Sequence, residues 1–173
     1  NSGSAYIFDF SNGVWSQSAK LISDDGVGYD FFGRSVNLSV DRVLVGAFTF
    51  TANPASSGAV YVFELTGNNW SQTAKLTPND SLINETFGNS LSLSGNRALI
   101  GAYFDTENGS NSGSAYVFDL SDGTWTQTAK LIGNDTEVND VFGRSVSLIG
   151  NRAIIGANSD SDHGQSSGSV YVF

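Results

Sequence analysis

The sequence predicts an all-β fold of tandem 55-residue units, each a four-stranded antiparallel blade of the β-propeller type. Three observations support this prediction. Trp15, Trp70 and Trp125 lie 55 residues apart, and no insertion or deletion disturbs that spacing elsewhere. Each unit holds short alternating or continuous apolar runs bounded by turn-forming pairs, which is the pattern of short strands. The chain has 20 glycines and only 2 prolines, and no amphipathic segment of useful helical length is present.

Three of the four predicted strands are clearest in residues 81–135. The first, Ser90 to Leu93, follows a Phe-Gly pair, and a Gly-Asn pair then favours a tight hairpin turn. The second, Ala98 to Ala102, is apolar throughout, so we expect it to be buried on both faces. A polar loop leads to the third, Ala115 to Phe118, and an Asp-Gly turn follows it.

The fourth strand, Trp125 to Leu131, alternates in polarity along its length. Because side chains alternate across a strand, Trp125 and Leu131 are predicted on one face and Lys130 on the other. This is the pattern of a half-exposed outer strand, and an outward lysine discourages pairing with a strand of another molecule.

The repeat divides the chain into four parts. Residues 1–25 hold the third and fourth strands of a first blade, residues 26–80 and 81–135 are complete blades, and residues 136–173 hold the first three strands of a last blade. Both ends supply the same third strand, so we expect no closed ring. Two interpretations stay open: the chain is a window of a larger propeller or open fibre, or separate chains join head to tail through strand addition.

Composition excludes several classes of function. The net charge is −9, with 17 acidic and 8 basic residues and no basic run, so nucleic acid is not an expected partner. No cysteine is present, which excludes zinc fingers, iron–sulfur sites, disulfides and thiol catalysis. No apolar stretch reaches the roughly 20 residues needed to cross a bilayer, so membrane insertion is not expected.

Acidic residues recur in the loop before each Phe-Gly pair and are the only candidate metal ligands. Carboxylates suit Ca²⁺, but two per loop make a small ligand set, so we favour turn residues that bond their own backbone. No cofactor is expected, with calcium as the one candidate. The acidic residues of these loops are Asp25, Asp30, Asp80, Glu85, Asp135 and Asp140.

A second acidic loop precedes the third strand in two units. It carries Asp105 and Glu107 in one copy and Asp160 and Asp162 in another, whereas residues 49–55 hold no acid. A site needed in every blade would not be missing from one, so we interpret these residues as solvated loop positions.

No catalytic set can be assembled from the sequence. His163 is the only histidine and lies in a polar loop, where nothing marks a proton-transfer partner. Hydrolase and phosphate-binding motifs are absent, so we expect no enzyme. The repeated tryptophans and tyrosines could stack on sugars, but their fixed strand positions favour core packing.

Asn-x-Ser/Thr sequons mark candidate glycosylation sites in turns or loops if the protein is made by a glycosylating cell. A sixth sequon, at Asn37, falls in a predicted inner strand and is not expected to be used. The candidates are Asn69, Asn79, Asn84, Asn108 and Asn134.

The repeated Phe-Gly pair and the Gly-Ala that closes the second strand resemble the FG-GAP repeat family, which forms the blades of the integrin alpha-subunit head and occurs in many bacterial surface proteins. The third position of the motif is Phe48, Tyr103 or Asn158 in place of proline. The units are more similar to bacterial-type repeats of the pattern S-G-S-A-Y-V-F, W-T-Q-T-A-K-L and F-G-x-S-V. The family's calcium loop lies between the first two strands, where this chain has only two-residue turns, so the resemblance does not imply calcium binding there.

These observations lead to an expected function. The resemblance and the absence of a catalytic set favour an extracellular or cell-surface structural or adhesive repeat module, whose partners are other copies of itself or further repeats of the same chain. Glycans and cell-surface proteins are further possible partners. The alternative is a ligand- or calcium-binding β-propeller head of a surface receptor or lectin.

Overall fold

The computed structural model describes residues 2–48, 57–80 and 85–173, and within them it contains strands but no helix. Thirteen strands form four antiparallel sheets of two, four, four and three strands, and within each sheet the strands follow chain order. This architecture confirms the predicted all-β fold of tandem four-stranded units. None of the described segments is a helix that could cross a membrane.

The strand bounds follow the 55-residue repeat. The first sheet contains β1 (Ala5–Ser11) and β2 (Val14–Leu21). The second contains β3 (Ser35–Leu38), β4 (Arg42–Ala47), β5 (Ala59–Thr66) and β6 (Asn69–Leu76). The third contains β7 (Ser90–Ser94), β8 (Arg97–Ala102), β9 (Ser114–Ser121) and β10 (Thr124–Leu131). The last contains β11 (Ser145–Ile149), β12 (Arg152–Ala157) and β13 (Ser169–Val172).

The hydrophobic cores lie between neighbouring sheets. In the core between the second and third sheets, Leu44, Val60 and Val62 on one side pack with Phe87 and Ile100 on the other. Two similar clusters join the first sheet to the second and the third sheet to the last. Each inner sheet therefore contributes both of its faces to cores that it shares with its neighbours.

The Phe-Gly pair fixes how one sheet sits on the next. Phe87 is fully buried, with its ring edge-on to Tyr116 and Phe118 at centroid distances of 5.4 and 6.0 Å. The backbone of the next Phe-Gly pair, Phe142-Gly143, approaches the third sheet very closely. A Cβ on Gly101 would lie 2.0 Å from the Gly143 carbonyl oxygen. The glycine that closes the second strand is thus required by the approach of the neighbouring backbone.

The fourth strand departs from its predicted alternation. Opposite β9, Gln127 pairs with Phe118 but Ala129 pairs with Val117, so Thr128 is the extra residue of a β-bulge. The bulge moves Lys130 into register with Tyr116 and hence onto the face that carries Trp125 and Gln127. The prediction that Lys130 points outward as a guard of the strand edge was wrong for this reason.

The end sheets also differ from the predicted burial. Ile154, in a second strand, is 45% exposed, whereas its equivalent Leu99 is fully buried. Trp15 is 66% exposed, whereas Trp70 and Trp125 pack partly buried against cores. Among the described residues, none of the three core clusters joins the first sheet to the last, so these four sheets are packed as an open array.

Candidate functional site

The sheets have two distinct ends. We call the end that carries the connections between sheets and between second and third strands the loop end. We call the opposite end, with tight turns such as those at Gly95 and Asp122, the hairpin end. The predicted site residues of the acidic loops all belong to the loop end, while a set of arginines marks the hairpin end.

A cluster of charged side chains surrounds Lys130 at the loop end of the third sheet. The Lys130 ammonium lies 2.6 Å from Asp80, 2.8 Å from Asp105 and 2.6 Å from Glu107. It also lies 5.2 Å from the centroid of the Tyr116 ring. The bulge of β10 creates this cluster because it brings Lys130 to the tyrosine side of the sheet.

Asp105 is the buried centre of this Lys130 cluster. Burial alone would raise the pKa of Asp105, but hydrogen bonds from Lys130, the Glu107 backbone N–H and Ser114, followed by one from Tyr116, lower it. Burial lowers the pKa of Lys130, and its bonds to Asp105 and the other carboxylates more than reverse this. Asp105 and Lys130 therefore stay charged at neutral pH, and the cluster connects two loops to the last two strands of the third sheet.

Equivalent clusters occur in the second and last sheets with fewer charges. Asp25 accepts hydrogen bonds from Tyr61 at 2.8 Å and from Lys75 at 2.5 Å, and these bonds lower its pKa, the lysine contributing most. In the last sheet, the Tyr171 hydroxyl lies 2.7 Å from Asp135 and 3.0 Å from Asp160. No lysine lies beside that pair among the described residues.

Five of the six acids predicted as weak metal-ligand candidates form one of two kinds of contact. Asp25, Asp80 and Asp135 belong to the clusters above. Asp30 accepts a hydrogen bond from the Val27 backbone N–H at 2.7 Å, and Asp140 holds the Glu137 backbone N–H in the same way at 2.5 Å. Glu85 is buried. The three carboxylates around Lys130 surround its ammonium group, and within the described residues no group of three or more carboxylate or histidine side chains is arranged to hold a metal ion.

Arginines at the hairpin end connect each inner sheet to the next. Arg42 donates to Glu64 through Nε at 2.8 Å and to the Gly95 carbonyl of the following sheet at 3.1 Å. Its guanidinium carbon lies 5.5 Å from the centroid of the Trp125 ring.

Arg97 repeats part of this arrangement. It forms an ion pair with Asp119 at 2.6 Å and donates to Asn151 of the following sheet at 2.9 Å. This contact was not predicted, although its signal was visible in the sequence as an arginine followed by a carboxylate 22 residues later in two units.

An aromatic pocket lies at the loop end of the second and third sheets. It has a volume of about 310 Å³ and is lined by Phe31, Arg34, Phe48 and Tyr103. Arg34 lies 5.5 Å from the centroid of the Phe48 ring, and Arg144 lies 4.5 Å from that of Tyr103. Aromatic rings and guanidinium groups offer stacking and charged donors to a ligand.

The remaining predicted sites lie on the surface, apart from the half-buried Asn37 and one asparagine outside the described residues. His163 is exposed in its loop. The inner-strand Asn37 accepts a hydrogen bond from the Leu93 backbone N–H at 3.1 Å and so joins two sheets. Asn84 lies outside the described residues. The exposed sequon asparagines are Asn69, Asn79, Asn108 and Asn134.

Comparison with known proteins agrees with the geometry. The family model described as FG-GAP repeat matches residues 15–63, 70–118 and 125–173. A search of curated proteins found no significant match to the chain. Three tandem matches that cover most of the sequence, on sheets joined by their Phe-Gly pairs, show that the chain belongs to the FG-GAP repeat family.

Proposed function

We propose that this chain is a non-enzymatic structural repeat module of the cell surface or extracellular space, which works by stacking its end sheets against further sheets of the same kind. The partners are other copies of the chain or further repeats. Adhesion or fibre formation follows when such contacts continue from one unit to the next, because a head-to-tail contact that does not close gives a filament.

One observation supports this proposal above the others. Val60 and Val62 are fully buried against the next sheet, whereas the equivalent Val170 and Val172 are 68% and 64% exposed. At the opposite end of the array, Tyr6 and Phe8 are 50% and 51% exposed, although Tyr61 and Phe63 are buried.

The exposed end faces therefore carry apolar side chains at the same repeat positions that form the cores between the inner sheets. Contiguous apolar patches of this kind mark interaction surfaces. The surface location is proposed from the family, because repeats of this type are typical of extracellular or surface proteins.

The test is self-association of the purified 173-residue chain, measured by sedimentation velocity over a concentration series. We expect species larger than the monomer, and we expect Val170→Asp with Val172→Asp to reduce them strongly, because a charge on the end face must be desolvated on contact. The control is Val27→Asp with Val138→Asp, which changes two valines of similar exposure in loops. A chain that stays monomeric at every concentration would contradict the proposal.

The aromatic pocket favours a second candidate, a ligand-binding head. Phe31, Arg34, Phe48 and Tyr103 could hold an acidic sugar or carboxylate by stacking and ion pairing. Glycan-array binding that Phe31→Ala abolishes would support this candidate. A large rise of melting temperature with Ca²⁺ would support its calcium-dependent form.

A further inference from the structure

The aromatic pocket at the loop end is formed by two positions of the repeat. Phe48 and Tyr103 follow the Gly-Ala pair that closes the second strand in the two complete blades. Arg34 and Arg144 follow a Phe-Gly pair, and Asn89 holds the same position in the unit between them. Side chains from both positions line the pocket, which has a volume of about 310 Å³.

Both arginines are held against aromatic rings. The guanidinium carbon of Arg34 lies 5.5 Å from the centroid of the Phe48 ring, and that of Arg144 lies 4.5 Å from the centroid of the Tyr103 ring. Asn89 also accepts a hydrogen bond from Nη1 of Arg144 at 3.4 Å and donates one to its backbone carbonyl at 3.3 Å. A guanidinium group oriented before a ligand arrives loses less conformational freedom on binding, which favours affinity.

Neither arginine has a carboxylate beside it. The ion pairs among the described residues all involve other basic side chains. The two copies together show both neighbours of this repeat position, because Arg144 lies over Tyr103 of the preceding sheet and Arg34 shares the pocket with Tyr103 of the following sheet. The absence of an acidic partner therefore belongs to the position in the repeat.

The pocket is a small basic site on an acidic protein. The net charge of the chain is −9, and Asp80, Asp105 and Glu107 lie at the same end of the sheets. A polyanion would bring further negative charges against this surface and be repelled, whereas a ligand with one carboxylate places its charge at the arginines. The volume of about 310 Å³ is near the lower limit of roughly 300 Å³ for small-molecule sites, so it suits a single ring.

The uncharged groups of the site fit a sugar ring. The faces of Phe48 and Tyr103 offer apolar surface to the C–H face of a pyranose. The Tyr103 hydroxyl forms no hydrogen bond with a described residue, so it is available to a sugar hydroxyl. Peptide carboxyl termini are captured by backbone N–H groups, whereas the charged donors here are side chains. The chemistry therefore favours an acidic sugar over a peptide terminus.

We propose that this pocket binds a sugar ring that carries a single carboxylate, such as a terminal hexuronic acid. The carboxylate pairs with Arg34 and Arg144, and the ring packs on Phe48 and Tyr103. The inference rests on the second candidate function, ligand binding at this pocket, and is independent of the stacking of end sheets. It adds the charge and size of the ligand and assigns its cationic partners.

The test is ligand-observed saturation-transfer NMR of the purified 173-residue chain, which detects weak binding whatever the size of the assembly. Glucuronate is the probe, glucose is the neutral ring of similar size, and acetate is the carboxylate without a ring. We expect glucuronate to bind and the other two to bind at least about tenfold more weakly, because each lacks one of the two contacts.

Substitutions of the arginines test their role directly. Arg34→Gln and Arg144→Gln, singly and together, remove the cations and keep polar side chains. We expect the double variant to bind glucuronate at least about tenfold more weakly, because the carboxylate loses its charge-assisted hydrogen bonds. Arg152→Gln, at an exposed arginine of the hairpin end, is the control for the single variants and should leave binding unchanged. Circular dichroism checks that each variant is folded.

The outcomes separate this inference from the candidate function on which it rests. If glucuronate binds the double variant as tightly as the unchanged chain, or glucose binds as tightly as glucuronate, the assignment of the arginines is wrong and the pocket still binds a ligand. Tighter binding of N-acetylphenylalanine would contradict the sugar, and tighter binding of a sulfated polysaccharide would contradict the single charge. If no probe binds, the inference is wrong, whereas the ligand-binding candidate fails only if the glycan array is also negative.

Discussion

The second and last sheets carry nearly the same sequence pattern but have different surroundings. Val62 is fully buried in the second sheet, whereas Val172, at the equivalent position, is 64% exposed in the last. Val62 and Val172 both lie in third strands that pair antiparallel with a second strand, so the backbone pairing is the same in the two sheets. The comparison shows that the faces of each sheet are buried by contact with neighbouring sheets. Only the inner sheets, which have a neighbour on each face, are therefore fully packed.

The largest expected effect compares Phe63 with Phe8. These residues occupy the same place in the repeat, but Phe63 is 3% exposed and Phe8 is 51% exposed. Phe63→Ala should lower the free energy of unfolding by about 3–5 kcal/mol, because it leaves a cavity beside Phe32. Phe8→Ala should cost less than about 1 kcal/mol.

Urea denaturation of both phenylalanine variants measures this difference. It should be done at a concentration where the chain is monomeric, because association would bury Phe8. Equal losses for the two variants would show that the end sheet has a core of its own.

A smaller effect is expected at the carboxylate clusters. Asp105 is buried with Lys130, whereas Asp160 has no lysine beside it among the described residues. Asp105→Asn should destabilise the chain by about 1–3 kcal/mol, because Lys130 loses a charged partner at a buried position. Asp160→Asn should cost less, and chemical denaturation at neutral pH compares the two.

The sign of the pH dependence of stability follows from the lowered pKa of Asp105. Hydrogen bonds from Lys130 and nearby donors lower this pKa by more than burial raises it. A carboxyl group whose pKa is lowered on folding contributes stability above its unfolded pKa, about 3.9. That stability is lost as pH falls through the folded pKa. Acid unfolding of Asp105→Asn should therefore be less steep below about pH 4. An unchanged slope would contradict the role given to the cluster.

The smallest effect is a stabilisation at Val141, in the last sheet's Phe-Gly loop. Val141 has φ of +57°, a left-handed conformation that is strained for a β-branched residue. Val141→Asn should raise the free energy of unfolding by up to about 1 kcal/mol, because asparagine tolerates this conformation. Val138→Asn, at an exposed valine without positive φ, is the control. No gain over that control in thermal melts would contradict the interpretation.

Much of the fold could be predicted because the repeat is explicit in the sequence. The positions of Trp125, Phe87 and Gly101 and the two-residue turns define the four strands. The bulge at Thr128 could not be predicted, since the alternation of β10 continues through it without a break. The placement of Lys130 depends on that bulge, so its role was also missed.

The candidate sites were harder to predict for a physical reason. Each cluster combines residues from two or three separate segments, as Asp25, Tyr61 and Lys75 do, and their meeting depends on how sheets stack. Only the regular interval between Arg42 and Glu64, repeated by Arg97 and Asp119, was visible beforehand. The exposure of the end faces becomes apparent only once the inner faces are known to pack against each other.

Hydrogen–deuterium exchange at two protein concentrations tests the central claim, that neighbouring sheets supply each other's core. At low concentration, amides of β5 and β9 should exchange slowly and those of β1 and β13 much faster, since the end sheets lack a neighbour on one face. At high concentration, protection should rise in β1 and change little in β5. Equal protection of β1 and β5 at low concentration, or no change in β1 on concentration, would contradict the account.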